Sequence, residues 1–378
     1  MSIKTLSKKM LAIVVAGAMT MGLAMSTSVF ATGGDTATKV TEAYISKTFN
    51  TEVGKNEAFS FTATQVTGST ANVTIPNITF ADTDTGSKTT RAKVKFPEEW
   101  PDAGKYEYTV TETGATPAIT DTKHQTMIMS KAEYTMDVYV SNGDNGLEIS
   151  NIIVNKKKDD KGTTATGKVD ISNTDNNGFK FTNTYVQEAG TGTDPVNPGP
   201  DYTKYGSLDV SKIIKTDAAD TADTNKEFDF TATFTFPAGT NAATLGAKAT
   251  IDGIATDITG TSHTFKLKHN QNVKFTGLPV GTKISVTESG TPNYKGSADV
   301  VINNGTKETK TATRYGEALT VSDKSLGQNK NTVDVTNTYN YVPATGIIMN
   351  TLPYVLMIAL CGAALMAFVA FKRRRLQK

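Results

Sequence analysis

Cysteine is almost absent from this chain: Cys361 is the only one among 378 residues. It sits in an apolar run near the C-terminus, so the stretch 32–345 cannot be held by disulfides. The three histidines, His124, His263 and His269, show no paired spacing, so no metal site and no cofactor are expected. G-x-S-x-G, phosphate-loop and His–carboxylate motifs are missing, and nothing supports a turnover enzyme. Asp82-Thr83-Asp84-Thr85-Gly86 starts like a calcium loop, but it lacks the closing glutamate and reads as a polar hairpin turn. Acids are missing from both ends: residues 1–31 hold three lysines, and residues 346–378 hold five Lys or Arg. With those eight set aside, the body has 31 basic against 37 acidic residues and 8% aromatics in the whole chain, which is not the footprint of a nucleic-acid binder.

Threonine is abundant, with 63 residues, a strand-forming composition that argues against a helical bundle. The length predicts two domains. A Pro/Gly-rich stretch, 189–205, reads as a stiff extended linker between residues 32–188 and 206–340. These segments look like diverged copies. Each carries an aromatic alternation (Phe59-Ser60-Phe61 and Phe228-Asp229-Phe230), a central Val-Thr-Glu (Val110 to Glu112 and Val286 to Glu288) and a closing Thr-Asn-Thr-Tyr (Thr182 to Tyr185 and Thr336 to Tyr339). Short alternating runs broken by Gly, Asn, Asp and Pro predict an all-β body of two tandem β-sandwiches.

The ends read as addresses. Residues 1–31 have the basic start, apolar middle and Val29-Phe30-Ala31 cleavage site of a secretory signal peptide. Residues 342–378 have three parts: Val342-Pro343-Ala344-Thr345-Gly346, an apolar span within 347–371 with twenty nearly uniform residues from Leu352 to Phe371, and a basic tail, 372–378. Twenty residues at 1.5 Å each cross about 30 Å of hydrocarbon, and the basic end stays cytoplasmic. The arrangement resembles the cell-wall sorting signal of Gram-positive surface proteins, whose usual pentapeptide is Leu-Pro-x-Thr-Gly. It implies a transmembrane intermediate, cleavage by a sortase between Thr345 and Gly346, and attachment at the cell surface. Val342 stands where Leu is usual, which leaves the sortase class open.

Residues two apart in a strand share a face. By that rule Glu112 follows Tyr106, Tyr108 and Val110 on one face, and Glu288 follows Ile284 and Val286. Lys47 sits with Ala43, Ile45 and Phe49, and Lys212 with Leu208, Val210 and Ile214. Asn183 sits with Phe179, Phe181 and Tyr185, and Asn337 with Val333, Val335 and Tyr339. A buried unpaired ammonium or carboxylate costs several kcal/mol. Two resolutions are open: a buried Lys–Glu ion pair, or condensation of the Lys amine with the Asn amide. For the second, burial would lower the Lys pKa, raise the Glu pKa and let Glu polarise the Asn carbonyl.

These residues, together with Leu208 to Lys212 and Leu278 to Thr282, resemble the isopeptide-linked domains of sortase-assembled Gram-positive pilins of the two-domain streptococcal backbone type. The resemblance implies Ig-like domains, each with an autocatalytic Lys–Asn bond joining first and last strands beside a catalytic Glu. The sets are Lys47, Glu112, Asn183 and Lys212, Glu288, Asn337, with Lys55 as the alternative lysine in the first copy. It implies a structural shaft subunit of a covalent pilus serving adhesion and colonisation; the alternative is a monomeric wall-anchored adhesin or a minor tip or base pilin. Its partners would be a sortase, other copies of the chain, peptidoglycan, accessory pilins and a host ligand, with no nucleic acid. The acceptor lysine would lie in the long lysine-rich region ahead of the first domain's closing strand, where Lys168 and then Lys161 are the candidates; the alternative is that this run is only a solvated loop.

Overall fold

The computed structural model describes residues 39–171, 177–192, 202–216, 222–340 and 346–376. The expected signal peptide, 1–31, and Val342 to Thr345 of the sorting motif lie outside the described residues. Ten strands make the first domain: β1 (Tyr44–Thr51), β2 (Glu57–Thr67), β3 (Ile78–Phe80), β4 (Gly86–Lys93), β5 (Gly104–Thr116), β6 (Gln125–Ile128), β7 (Glu133–Gly143), β8 (Gly146–Lys158), β9 (Thr164–Val169) and β10 (Phe179–Gln187). After the one-turn helix α1 (Tyr202–Tyr205), the second domain runs β11 (Leu208–Thr216), β12 (Phe228–Thr235), α2 (Ala242–Leu245), β13 (Lys248–Ile251), β14 (Ile254–Asp257), β15 (Ser262–Leu267), β16 (Asn272–Thr276), β17 (Lys283–Glu288), β18 (Tyr294–Val301), β19 (Glu308–Thr311), β20 (Leu319–Ser325) and β21 (Thr332–Tyr339). A final helix, α3, spans Gly346–Leu376.

The all-β expectation holds: each domain is two sheets around one apolar core. The first stacks β4-β1-β10-β6 on β3-β2-β5-β7-β8-β9; the second stacks β14-β13-β16-β11-β21-β18-β19 on β15-β12-β17-β20. Period-two patterning builds both cores. On β7, Tyr134, Met136, Val138 and Val140 are buried while their neighbours are not. Each such side chain contributes about 1.5–3 kcal/mol of burial. First and last strands pair parallel in both domains, with Lys47 opposite Phe181 and Lys212 opposite Val335.

Three details differ from the sequence reading. Asp82 to Gly86 do turn, with the Asp84 N–H donating to Ala81 O at 3.0 Å. They make no hairpin, because β3 pairs with β2 and β4 with β1, so the turn carries the chain between sheets. The lysine-rich segment is the β8–β9 hairpin rather than a loop, with Asn155 opposite Lys168. Of the stretch read as a linker, 193–201 lie outside the described residues. Ala189 is fully buried in the second core, and its N–H donates to Leu278 O at 2.8 Å.

From Asn183 to Gln187, β10 is buried on both faces, breaking the alternation. The second domain covers its outer side: the Val280 N–H donates to Gln187 O at 2.9 Å, and Glu188 bridges Pro279. Gly239 has φ +77°, and a Cβ there would stand 2.3 Å from Thr184 Oγ1, so only glycine permits this approach.

Candidate functional site

Each sandwich buries one lysine, one glutamate and one asparagine in mutual contact. In the parallel ladder Phe49 is opposite Asn183, so Lys47 and Asn183 are diagonal neighbours two residues apart on the core face. Ile214 is opposite Asn337, which places Lys212 and Asn337 identically. The glutamates arrive from the facing sheets: Glu112 on β5, opposite Phe61, and Glu288 on β17, opposite Phe230.

In the first domain Lys47 Nζ donates to both oxygens of Glu112, at 2.8 and 2.9 Å, and Asn183 Nδ2 donates to Glu112 Oε1 at 2.7 Å. Both partners of the Lys47–Glu112 pair have fully buried side chains, and Asn183 is buried too. In the second, Lys212 Nζ and Asn337 Nδ2 donate to Glu288 Oε1 at 2.6 and 2.7 Å. Lys212, Glu288 and Asn337 are 0%, 3% and 3% exposed.

Burial disfavours both charges. It pushes Lys47 and Lys212 down to about 8, against a partial restoring pull from Glu112 and Glu288. Burial likewise raises Glu112 and Glu288, their lysines and asparagines opposing the shift. The neutral amine, the nucleophilic form, is thereby brought within reach of neutral pH.

One element differs from the sequence reading. The glutamates face the amide nitrogen of each asparagine, not its carbonyl. In the first domain the orientation is set by Asn183 Oδ1 accepting the Ser130 backbone N–H at 2.7 Å, since a flipped amide would bring donor against donor. The geometry therefore suits a carboxylate carrying a proton between two nitrogens.

Phenylalanine completes each site. Lys47 Nζ lies 4.2 Å from the Phe59 ring centroid and Lys212 Nζ 4.1 Å from that of Phe228. The repeated aromatic landmark contains both rings, yet a core phenylalanine is too ordinary for alternation to mark it as part of a site. Ser130, Met129 and Asp160 were also not legible: Met129 Sδ meets Asn183 Nδ2 at 3.2 Å, and Asp160 raises the Lys47 pKa slightly through its charge. Lys55 is elsewhere, paired with Glu57 and stacked 5.6 Å from the Tyr185 ring centroid, so Lys47 is the lysine at the site. Lys168, on β9, and Lys161, in the β8–β9 turn, are exposed and belong to neither triad. Among the described residues no cluster of His, Cys, Asp or Glu could hold a metal.

Residues 206–339 match a family described as a domain of unknown function (DUF7601). No curated protein matches the chain. The crystal structure of the major pilin from Streptococcus pyogenes is 20% identical, the match covering 80% of this chain and 100% of that one with a TM-score of 0.34. The major pilin protein T3.2 from S. pyogenes serotype GAS13637 is 19% identical, the match covering 80% of this chain and 99% of that one with a TM-score of 0.32. Residues 43–186, which carry Lys47, Glu112 and Asn183, match the family described as the Spy0128-like isopeptide containing domain. That match spans the first sandwich and takes in all three of its buried site residues, so the first sandwich is similar to the Spy0128-like isopeptide containing domain.

Proposed function

We propose that this chain is the structural shaft subunit of a sortase-polymerised covalent pilus, each Ig-like domain being locked by a self-formed Lys–Asn bond. The observation that carries the reading is the triad itself, reproduced in two diverged domains with both nitrogens on one carboxylate oxygen. The neutral lysine attacks the asparagine Cγ, and the proton lost from Nζ passes through the glutamate to Nδ2. The Cγ–Nδ2 bond breaks and ammonia leaves. Buried proximity converts a slow bimolecular condensation into an intramolecular one. Glu112 and Glu288 act once each, on their own chain.

The reading of the ends completes the assembly. A sortase would cleave after Thr345 and join its carbonyl to a lysine of the next copy, with peptidoglycan the final acceptor. Lys168 is favoured over Lys161, because it lines a groove with Tyr134, Lys156, Asp170 and Lys180 that can seat an incoming chain end. Among the described residues no helix is long and apolar enough to cross a membrane. In α3, however, the described apolar side chains are exposed, with Ile358 and Met366 each 72% and Leu365 67%. An apolar surface of this kind is suited to lipid during transit.

Intact mass tests the cross-links: the chain should weigh two ammonia masses less than its sequence. Immunoblots of detergent-boiled wall extracts test the polymer, where a ladder is expected and a single band would make the chain a monomeric wall protein.

A further inference from the structure

The two triads are not equivalent on the carbonyl side of asparagine. In the first domain the Ser130 N–H meets Asn183 Oδ1 at 2.7 Å. In the second, among the described residues, the buried Asn337 Oδ1 has no hydrogen-bond partner. The backbone donor on the asparagine oxygen is thus a feature of the first triad that the second does not repeat among the described residues.

Ser130 lies between β6 and β7, and Asp160 fixes it there. Asp160 Oδ1 accepts from Ser130 Oγ at 2.5 Å and from the Thr182 N–H at 2.9 Å. The Asp160 backbone carbonyl accepts the Lys131 N–H at 2.9 Å, and Ser130 Oγ accepts the Ala132 N–H at 3.2 Å. Thr182 directly precedes Asn183, so one carboxylate oxygen ties the donor's residue to the strand that carries the electrophile.

We propose that the Ser130 N–H is an oxyanion donor for the Lys47–Asn183 condensation and that Asp160 is its positioning residue. This rests on the cross-link reading. When Nζ attacks Cγ, the carbonyl π pair moves onto Oδ1, where the N–H already points; collapse returns the pair and expels Nδ2 as ammonia, protonated through Glu112. A donor held in a dry site needs no reorganisation as charge develops, and removing one such donor typically slows a reaction by about 10²- to 10³-fold. Asp160 acts through Ser130, so its loss has a smaller effect. Among the described residues the second domain shows no such donor, so its bond would form without this assistance.

The test follows both bonds in the full chain during cell-free synthesis, with acid quenching at intervals and quantification of each linked peptide by mass. The rate at Lys212–Asn337 serves as the internal reference. Asp160→Ala should slow the Lys47–Asn183 bond by about tenfold or more relative to that reference. Asp160→Asn, which keeps an acceptor oxygen for Ser130 and Thr182, should restore a rate within about threefold of wild type. A first domain that resists protease in both variants but links at the wild-type rate in Asp160→Ala would overturn the proposal, as would Asp160→Asn being equally slow. Should Asp160→Ala fail to fold, Ser130→Ala, which removes only the hydroxyl, gives the same reading. Absence of any linked Lys47–Asn183 peptide from the wild type would instead overturn the cross-link reading, and this proposal with it.

Discussion

Lys212 and Asn337 are not paired across their ladder: Lys212 is opposite Val335, Asn337 is opposite Ile214, and the carboxylate of Glu288 joins the two by accepting from both. The glutamate comes from the other sheet, so the site exists only when the sandwich is closed. Lys47, Asn183 and Glu112 repeat the arrangement.

Removing Glu288 should therefore cost stability twice. Glu288→Ala leaves the buried ammonium without its carboxylate and prevents the cross-link, returning one ammonia mass. A covalent loop of about 100 residues restricts the unfolded chain by roughly 4–5 kcal/mol in the loop-entropy account. The thermal midpoint of the second domain should fall and trypsin should cut it, with the first domain's mass deficit intact. An unchanged melt would mean that no bond spans the second domain.

Gly296 guards the other side of Asn337. It is opposite Asn337 on β18, and a Cβ there would stand 3.2 Å from Asn337 Oδ1 and 3.1 Å from Leu319 Cβ. Gly296→Ala should displace the amide, leave a fraction of the Lys212–Asn337 bond unformed and destabilise the domain by about 1–3 kcal/mol. Mass spectrometry of the purified variant reads the unlinked fraction directly; complete linkage would show that the amide tolerates the push.

The pH dependence has a definite sign. With Lys212 at about 8, roughly one amine in ten is neutral at pH 7, against about one in three thousand for an ordinary lysine. The neutral fraction grows as pH rises and saturates above the folded pKa, so the initial rate of ammonia release should climb from pH 6 to pH 8 and then flatten. A rate that falls over that interval would remove the amine from the rate-determining step.

Sorting depends on another part of the chain. Replacing Thr345 should retain the protein at the membrane, and deleting 346–378 should send it to the medium, both with intact isopeptide masses. Wall-bound protein in either variant at the wild-type level would exclude Thr345 as the attachment point.

The triads were legible because strand periodicity is strict: with Ile45 and Phe49 inward, Lys47 has to be inward too. Ser130 was not, because it reaches Asn183 through a backbone N–H, a group every non-proline residue has, and only the segment between β6 and β7 aims it. Asp160 lies far from Asn183 in sequence and reads as one charge in a polar run. The β8–β9 hairpin was hidden for a related reason. β9 is at a sheet edge, with Thr164, Thr166, Gly167 and Lys168 exposed, so it lacks the apolar alternation that marks a half-buried strand.

Parallel pairing of the first and last strands has a consequence for biogenesis. Strand β10 is the last of its domain to be synthesised, and its pairing with β1 is the domain's most distant contact along the chain. Contacts of that kind form late, after loop closure across the whole domain. The proposed bond between Lys47 and Asn183 would then be an irreversible record, written once per molecule, that the domain was synthesised to its end and closed correctly. A truncated or misfolded copy keeps its ammonia, so the mass of a subunit reports its folding history as well as its composition.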